Sequence, residues 1–317
     1  MGVLEYSIER QGPMTAWVTY EASSRSLAQV LSIKKGQAGP WVASVIIKAR
    51  AGQSDITLTW SLKAGARQLE AELATRWMEI GTPSVGVPKL QMKFPLALRQ
   101  AKATYEIPFG AIERTENAGQ EVPALRWADV NGKTLGKPAT AGMALLNDSK
   151  NGHSLDGSTL RLTLLRSSHD PDPLPEIGDH TMRMAIAPHG AAPDAAELMK
   201  LAAAFSQPLQ VVGTDRHEGS LPPAAEAVTV DAPGAVVTSI KQTEDGGALI
   251  VRLLETRGRT AQVRVNFNTD LLGRLDKPVE VDLLERPLKA SSAKATPGGF
   301  SVRLRPHAIA SVRLSLK

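Results

Sequence analysis

Residues Trp41–Ala64 read WVASVIIKARAGQSDITLTWSLKA. Two runs inside this stretch, WVASVIIKA (Trp41–Ala49) and DITLTWSLKA (Asp55–Ala64), alternate at a period close to two, with Ala51-Gly52 between them. Successive side chains on a strand point to opposite faces, so each run predicts a strand with one buried and one solvated face. The pattern recurs in TAWVTYEA (Thr15–Ala22), LEAELATRW (Leu69–Trp77) and KLQMKFPLAL (Lys89–Leu98), broken at Gly12-Pro13, Gly39-Pro40, Gly65 and Gly81-Thr82-Pro83. Further strands are expected in ATYEIPF (Ala103–Phe109), PALRWADV (Pro123–Val130), AGMALLN (Ala141–Asn147), TLRLTLLRS (Thr159–Ser167) and HTMRMAIAPH (His180–His189). Short alternating runs closed by turn residues are the signature of antiparallel sheets.

One helix stands out. PDAAELMKLAAAF (Pro193–Phe205) opens on Pro and Asp and puts Leu198, Leu201, Ala202 and Phe205 on one face. The polar, Gly- and Pro-rich GTDRHEGSLPP (Gly213–Pro223) follows, as a connection between domains would. Beyond it come AVTVDA, VVTSIKQTE, ALIVRLLET, TAQVRVNF, PVEVDLLE, GFSVRLRP and ASVRLSLK, with Glu244-Asp245-Gly246-Gly247 as a hairpin turn. Strands at that density predict a small β-sandwich. The expected organisation is a β-domain over 1–215, a linker over 216–225 and a C-terminal β-sandwich over 226–317.

Composition narrows the function classes. The chain has 317 residues, 42% hydrophobic and 22% charged, and a net charge of +5. The excess cations are scattered, whereas a nucleic-acid binder gathers them on one face; no nucleic-acid partner is expected. Cysteine is absent, which removes disulfides, thiolate metal sites and cysteine nucleophiles and fits a reducing, cytoplasmic location. The N-terminus shows no basic segment followed by an apolar one, and no apolar run approaches the roughly 20 residues that span a bilayer. No membrane association is expected.

The chemistry-bearing residues form no complete centre. The six histidines (His153, His169, His180, His189, His217 and His307) make no H-x-D, H-x-H or H-E-x-x-H spacing, so no metal ligands are assigned in this chain. A G-x-S-x-G elbow is absent, and the glycines lie between strands instead of opening helices as phosphate loops do. Paired carboxylates for glycoside hydrolysis would come from Glu106, Glu113, Glu121, Asp129, Asp148 or Asp156, which sequence spacing cannot pair. Most of these stand at strand ends, where capping a turn is the simpler role. No catalytic residue is assigned. The densest cluster is ALLNDSKNG (Ala144–Gly152), which reads either as a polar site or as a hairpin turn closed by Asn and Asp side chains.

Six stretches carry a family resemblance. They are YEIPFGAIER (Tyr105–Arg114), EVPALRWADV (Glu121–Val130), GMALLNDSKNG (Gly142–Gly152), LRLTLLRSSHDPDP (Leu160–Pro173), the His-Thr-Met strand ending in APHG (Ala187–Gly190) and VDLLERP (Val281–Pro287). In this order they resemble the C-terminal β-region of family 38 glycoside hydrolases, the retaining α-mannosidases, from about Trp17 onward. The resemblance implies an all-β fold: an antiparallel supersandwich of the galactose-mutarotase type, then a small β-sandwich. It also implies a preceding α/β-barrel catalytic domain, in which two His and two Asp hold zinc. There an Asp is the nucleophile and a second carboxylate the acid/base. None of those motifs is in these 317 residues, so zinc is expected only in a catalytic domain joined in cis or in trans. The chain alone is expected to be inactive: a fragment, a separately encoded half or a degenerate relative.

In the family a loop from this region reaches over the sugar. The positions matching it are Asn147, Asp148, Ser149 and Lys150. The resemblance makes Asp148 and Lys150 the substrate-binding candidates, Lys150 bonding sugar hydroxyls and Asp148 orienting it. Asn151 departs from the pattern, an aromatic being usual there. The expected partner is an α-mannoside or oligosaccharide reached through the catalytic domain, and a homo-oligomer is compatible with the sequence. Two alternatives stay open: a stand-alone carbohydrate-binding or scaffold module, and an autonomous enzyme using His153 with Asp148 or Glu113.

Tyr105, Ile107 and Phe109 are expected on one strand face in the core, and Trp127 as a buried anchor. Arg166 is expected to pair with Asp170 or Asp172, and the His189 imidazole to bond backbone.

Overall fold

A computed structural model describes every residue of the chain except 1, 115–118, 137–138, 174–175, 191, 217 and 317. His217, one of the six histidines weighed above, therefore lies outside the described residues. Strands dominate, and every strand pairing is antiparallel. The all-β, antiparallel expectation holds.

The Trp41–Ala64 stretch becomes a hairpin of strands Val42–Ala51 and Ser54–Lys63, in register from Ala51↔Ser54 to Val42↔Lys63. Its turn places Gly52 at φ +58°, and a Cβ there would meet the Glu79 carboxylate at 2.4 Å. Glycine is thus required twice over, for conformation and for space. Along Ser54–Lys63, Ile56, Leu58 and Trp60 are buried, as period-two alternation demands.

That hairpin belongs to a nine-stranded sheet. Its order is Gln29–Ala38, Val42–Ala51, Ser54–Lys63, Leu69–Trp77, Gly178–His189, Thr140–Asn147, Trp127–Thr134, Leu98–Ile107 and Gly110–Arg114. A six-stranded sheet runs Val122–Pro123, Gly152–Asp156, Thr159–Arg166, Val87–Pro95, Val3–Glu9 and Ala22–Leu27. One apolar core draws on both sheets: Leu58, Trp60, Leu73, Trp77 and Leu145 from the larger, Leu4, Leu90, Met92, Phe94, Leu160 and Leu162 from the smaller. Each such side chain contributes about 1.5–3 kcal/mol on leaving water. Few aromatics are needed, because Leu, Ala and Met fill most of the layer.

By compactness the chain divides into two units, the first 1–107, 112–193 and 201–208, the second 108–111, 194–200 and 209–317. The second unit holds two four-stranded sheets, Val228–Asp231/Ala261–Phe267/Gly299–Leu304/Lys294–Thr296 and Ala235–Gln242/Ala248–Glu255/Ile309–Leu316/Leu275–Val281. Val251, Val263, Phe300, Val302, Val312 and Leu314 form its core. The expected hairpin turn is present: Asp245 Oδ1 accepts from Gly247 N at 3.1 Å, and Gly246 sits at φ +73°. The expected helix spans Ala195–Ser206 and starts with a reciprocal cap, Glu197 N donating to Asp194 Oδ1 (2.9 Å) and Asp194 N to Glu197 Oε2 (3.2 Å). No helix among the described residues is long and apolar enough to cross a membrane, which says nothing of a β-barrel.

Local expectations fail where hydrogen bonds override alternation. TAWVTYEA is no strand: Trp17 N and Val18 N both donate to Met14 O, and the strand begins only at Ala22. KLQMKFPLAL splits at Leu96-Ala97 into strands of different sheets, Val87–Pro95 ending on its proline. Phe109 does not share the face of Tyr105; it sits in the following turn at φ +54°, exposed. EVPALRWADV also divides, Val122–Pro123 to one sheet and Trp127–Thr134 to the other. Strands Gln29–Ala38, Gly152–Asp156 and Lys294–Thr296 had no distinct alternating signal.

Candidate functional site

The stretch Asn147–Lys150 follows strand Thr140–Asn147 of the nine-stranded sheet and leads to Gly152–Asp156 of the six-stranded one. It is therefore a crossover between sheets, and the hairpin reading is corrected. Its shape comes from one side chain. Buried Asn147 accepts at Oδ1 from Ser149 N (3.1 Å) and Lys150 N (2.7 Å), and its Nδ2 donates to Leu125 O (3.1 Å). An Asx turn of this kind satisfies backbone donors that no ladder reaches.

Asp148 is held as firmly. Its Oδ1 accepts from Arg183 N (3.2 Å) and Ser149 Oγ (3.1 Å), and its Oδ2 from Arg183 Nε (3.1 Å). Arg183 in turn lies over the Phe205 ring, 5.2 Å from its centroid. The half-buried Lys150 is different: its amine has no ion pair or hydrogen bond among the described residues. Asn151 is exposed, and its carbonyl accepts from Ala124 N at 2.9 Å. The loop thus presents one uncommitted amine beside a carboxylate already committed to Arg183.

The other candidates do not converge on it. Buried Glu106 pairs with Arg126, exposed Glu113 with Lys102 at 2.8 Å, and Glu121 accepts from Thr163 Oγ1. His189 Nε2 donates to Asp129 Oδ1 at 2.7 Å, so the His189 ring bonds a carboxylate instead of the expected backbone. Gly142 makes room for that ring, since a Cβ there would lie 2.3 Å from His189 Cε1. Among the described residues no group of three or more His, Asp or Glu could hold a metal ion.

His153 is fully buried, its Nδ1 3.2 Å from Asn151 O and its ring edge-on to Tyr105 at 6.2 Å. Burial pushes its pKa down to about 4, despite the backbone hydrogen bond. The same burial raises the Tyr105 hydroxyl to about 12. A neutral, buried imidazole bonded to neither Asp148 nor Glu113 offers no acid/base pair, so the His153 pairing is corrected as well.

Sequence reasoning missed a charged layer on the six-stranded sheet. Glu5, Ser7 and Glu9 alternate with core residues along Val3–Glu9, opposite Lys89, Gln91 and Lys93 of Val87–Pro95. Glu9 binds Lys89 (2.5 Å) and Arg166 (2.8 Å), and Glu5 binds Arg25 (3.0 Å), Lys93 (3.1 Å) and Arg161 (3.4 Å). Arg166 thus pairs with Glu9, not with Asp170 or Asp172; Asp170 instead accepts from Met14 N. Burial pushes both glutamates up, but their cationic partners outweigh it and hold both carboxyls below the usual range. Polar residues two apart in VLEYSIE were the available signal, but a solvated face has the same pattern.

Comparisons with known proteins agree on one family. Residues 5–174 match the model of the Glycosyl hydrolases family 38 C-terminal domain, and residues 234–312 that of the Glycosyl hydrolases family 38 C-terminal beta sandwich domain. Human "Alpha-mannosidase 2C1" is 31% identical over 239 residues, covering 72% of this chain and 22% of the human protein. "Alpha-mannosidase G" of Dictyostelium discoideum is 27% identical over 274 residues, 81% of this chain and 24% of that protein. A solved family 38 protein from Enterococcus faecalis superimposes with a TM-score of 0.76 at 17% identity, over 98% of this chain and 40% of that one. At that identity the likeness shows the fold. The chain spans about a quarter of the length of the curated relatives it matches.

Proposed function

The chain belongs to glycosyl hydrolase family 38, and from this premise we propose that it is the C-terminal, non-catalytic region of a zinc-dependent retaining α-mannosidase. In this reading it packs on a catalytic domain, supplied in cis or in trans, that hydrolyses terminal α-mannosides. The domain 1–215, the linker 216–225 and the β-sandwich 226–317 act as its scaffold. Supporting the reading is the ordered match of two C-terminal family models across the chain, with α-mannosidases among the relatives. Zinc does not fit here: the described residues offer pairs such as His189–Asp129 but no ligand set. Its ligands and the nucleophile belong to the catalytic domain, and no chemical step is assigned to this chain.

Within that assembly Lys150 reaches toward sugar hydroxyls as a cationic donor, and Asp148 holds the loop. The support is the contrast between a carboxylate locked onto Arg183 and an amine with no partner among the described residues. An exchange experiment tests both parts. This chain replaces the corresponding region of the Enterococcus faecalis family 38 protein, and hydrolysis of a chromogenic α-mannoside is followed. The chimera should be active, and Lys150→Met should raise KM roughly tenfold, as loss of one charge-assisted hydrogen bond does. A folded but inactive chimera counts against the scaffold reading, and a Lys150→Met chimera with unchanged KM counts against the sugar contact.

A further inference from the structure

The charged layer on the six-stranded sheet borders a cavity of about 510 Å³, lined by Tyr20, Arg25, Gln91, Glu121, Asp156 and Arg161 among others. That volume lies within the ~300–1,000 Å³ of small-molecule clefts. The floor is built and not merely solvated: Gln91, Lys89, Ser154 and Arg161 line the cavity and are all more than nine-tenths buried. Ordinary exposed sheet faces leave such side chains in water.

One buried side chain of the lining is only loosely held. Arg161 Nε lies 3.4 Å from Glu5 Oε1, an ion-pair contact without hydrogen-bond geometry, and its Nη1 lies 3.5 Å from Asp156 Oδ2. A buried guanidinium held this loosely keeps donor capacity for a further partner. The network's charge decides what that partner is. Glu5, Glu9, Glu121 and Asp156 are set against Arg25, Lys89, Lys93, Arg161 and Arg166, nearly in balance. An entering ion would have to break existing pairs, leaving a buried charge uncompensated. A hydroxyl can accept from an arginine and donate to a carboxylate without displacing either.

We propose that this cavity is a binding site for a neutral polyhydroxylated ligand, a sugar ring, held by Gln91, Asp156 and Arg161. The ligand class follows from the residues of the cavity and does not depend on Lys150 or on the catalytic domain. It gives the family 38 β-region a carbohydrate contact on the six-stranded sheet, lined by none of the Asn147–Lys150 residues.

Titration of the 317-residue chain with D-mannose, D-galactose and inorganic phosphate, followed by amide chemical shifts, tests it. At least one sugar should bind saturably, with phosphate binding more weakly or not at all. Asp156→Ala, at a half-exposed rim carboxylate, and Arg161→Lys, which keeps the charge but loses the fork, should each weaken sugar binding about tenfold. Glu113→Gln, at an exposed ion pair outside the cavity, should bind sugar as the parent does. Absence of saturable sugar binding overturns the proposal. So does binding indifferent to both cavity substitutions, or phosphate binding in preference to sugar. Each of these leaves the chimera test of the family role untouched. Because Asp156 is open to solvent, its variant keeps the test valid if Arg161→Lys fails to fold.

Discussion

Asp148 grips Arg183 by main chain and side chain together, its Oδ1 taking Arg183 N at 3.2 Å and its Oδ2 taking Arg183 Nε at 3.1 Å. The carboxylate that looks reactive in NDSK is thereby a joint between the crossover loop and strand Gly178–His189. Asp148→Ala should cost about 1–3 kcal/mol, the range for stranding hydrogen-bonded partners. Lys150→Met should stay within about 0.5 kcal/mol, as surface changes do. Urea unfolding of both variants checks the assignment; equal losses would show that the lysine is structural too.

Asn147 carries more of the loop than either charged neighbour. Its amide makes three hydrogen bonds from a buried position. Asn147→Ala should therefore cost about 2–4 kcal/mol by leaving Lys150 N, Ser149 N and Leu125 O without it. Asn147→Asp, which keeps the acceptor but not the donor, should recover part of that loss. Thermal midpoints in the order parent, Asp variant, Ala variant are expected.

Ion pairs of like appearance should differ sharply. Glu9 lies fully buried between Lys89 and Arg166, whereas Glu113 and Lys102 meet in solvent. Removing one partner of a buried cluster costs about 3–5 kcal/mol, while an exposed pair is worth about 0–1. Glu9→Gln should thus be strongly destabilising and Glu113→Gln nearly silent. Comparable denaturation midpoints for the two would refute the buried-cluster account.

Acid should act through His153 before it acts through the carboxylates. Its pKa falls from 6.5 to about 4 on folding, so the unfolded chain takes the proton first as pH drops. The stabilisation is complete above pH 6.5 and is lost on descending toward 4, on the order of 3 kcal/mol in all. Glu5 and Glu9, also lowered, contribute stability above 4.5 that disappears only below it. His153→Phe should flatten the stability profile between pH 6.5 and 4.5 and leave the steeper acid limb. An unchanged profile would mean that the imidazole titrates normally.

Much of the architecture was legible because alternation is a direct record of burial. Ile56, Leu58 and Trp60 face the core as their spacing requires, and the Asp194/Glu197 pair caps the helix that its sequence announces. What failed was set by contacts distant in sequence. Thr15 accepts from His169 N and Asp170 N, helping hold a turn where TAWVTYEA promised a strand. Arg166 found Glu9, 157 residues away, instead of the adjacent aspartates. For the candidate site, alternation ending at Asn147 marked the loop, but only the folded contacts with Arg183 separate a committed Asp148 from an uncommitted Lys150. The burial of Glu5, Lys89 and Arg161 was invisible for the same reason: their polar alternation also describes a wet sheet face.

The proposed division of labour gives this chain scaffold and binding groups and leaves bond cleavage to another domain. Its most direct test is a glycosidase assay of the purified chain on a chromogenic α-mannoside, with and without added zinc. No hydrolysis above buffer is expected in either condition, with activity appearing only when the chain is joined to a family 38 catalytic domain. Zinc-stimulated turnover by the chain alone, abolished by Asp129→Asn or His189→Gln, would contradict the account.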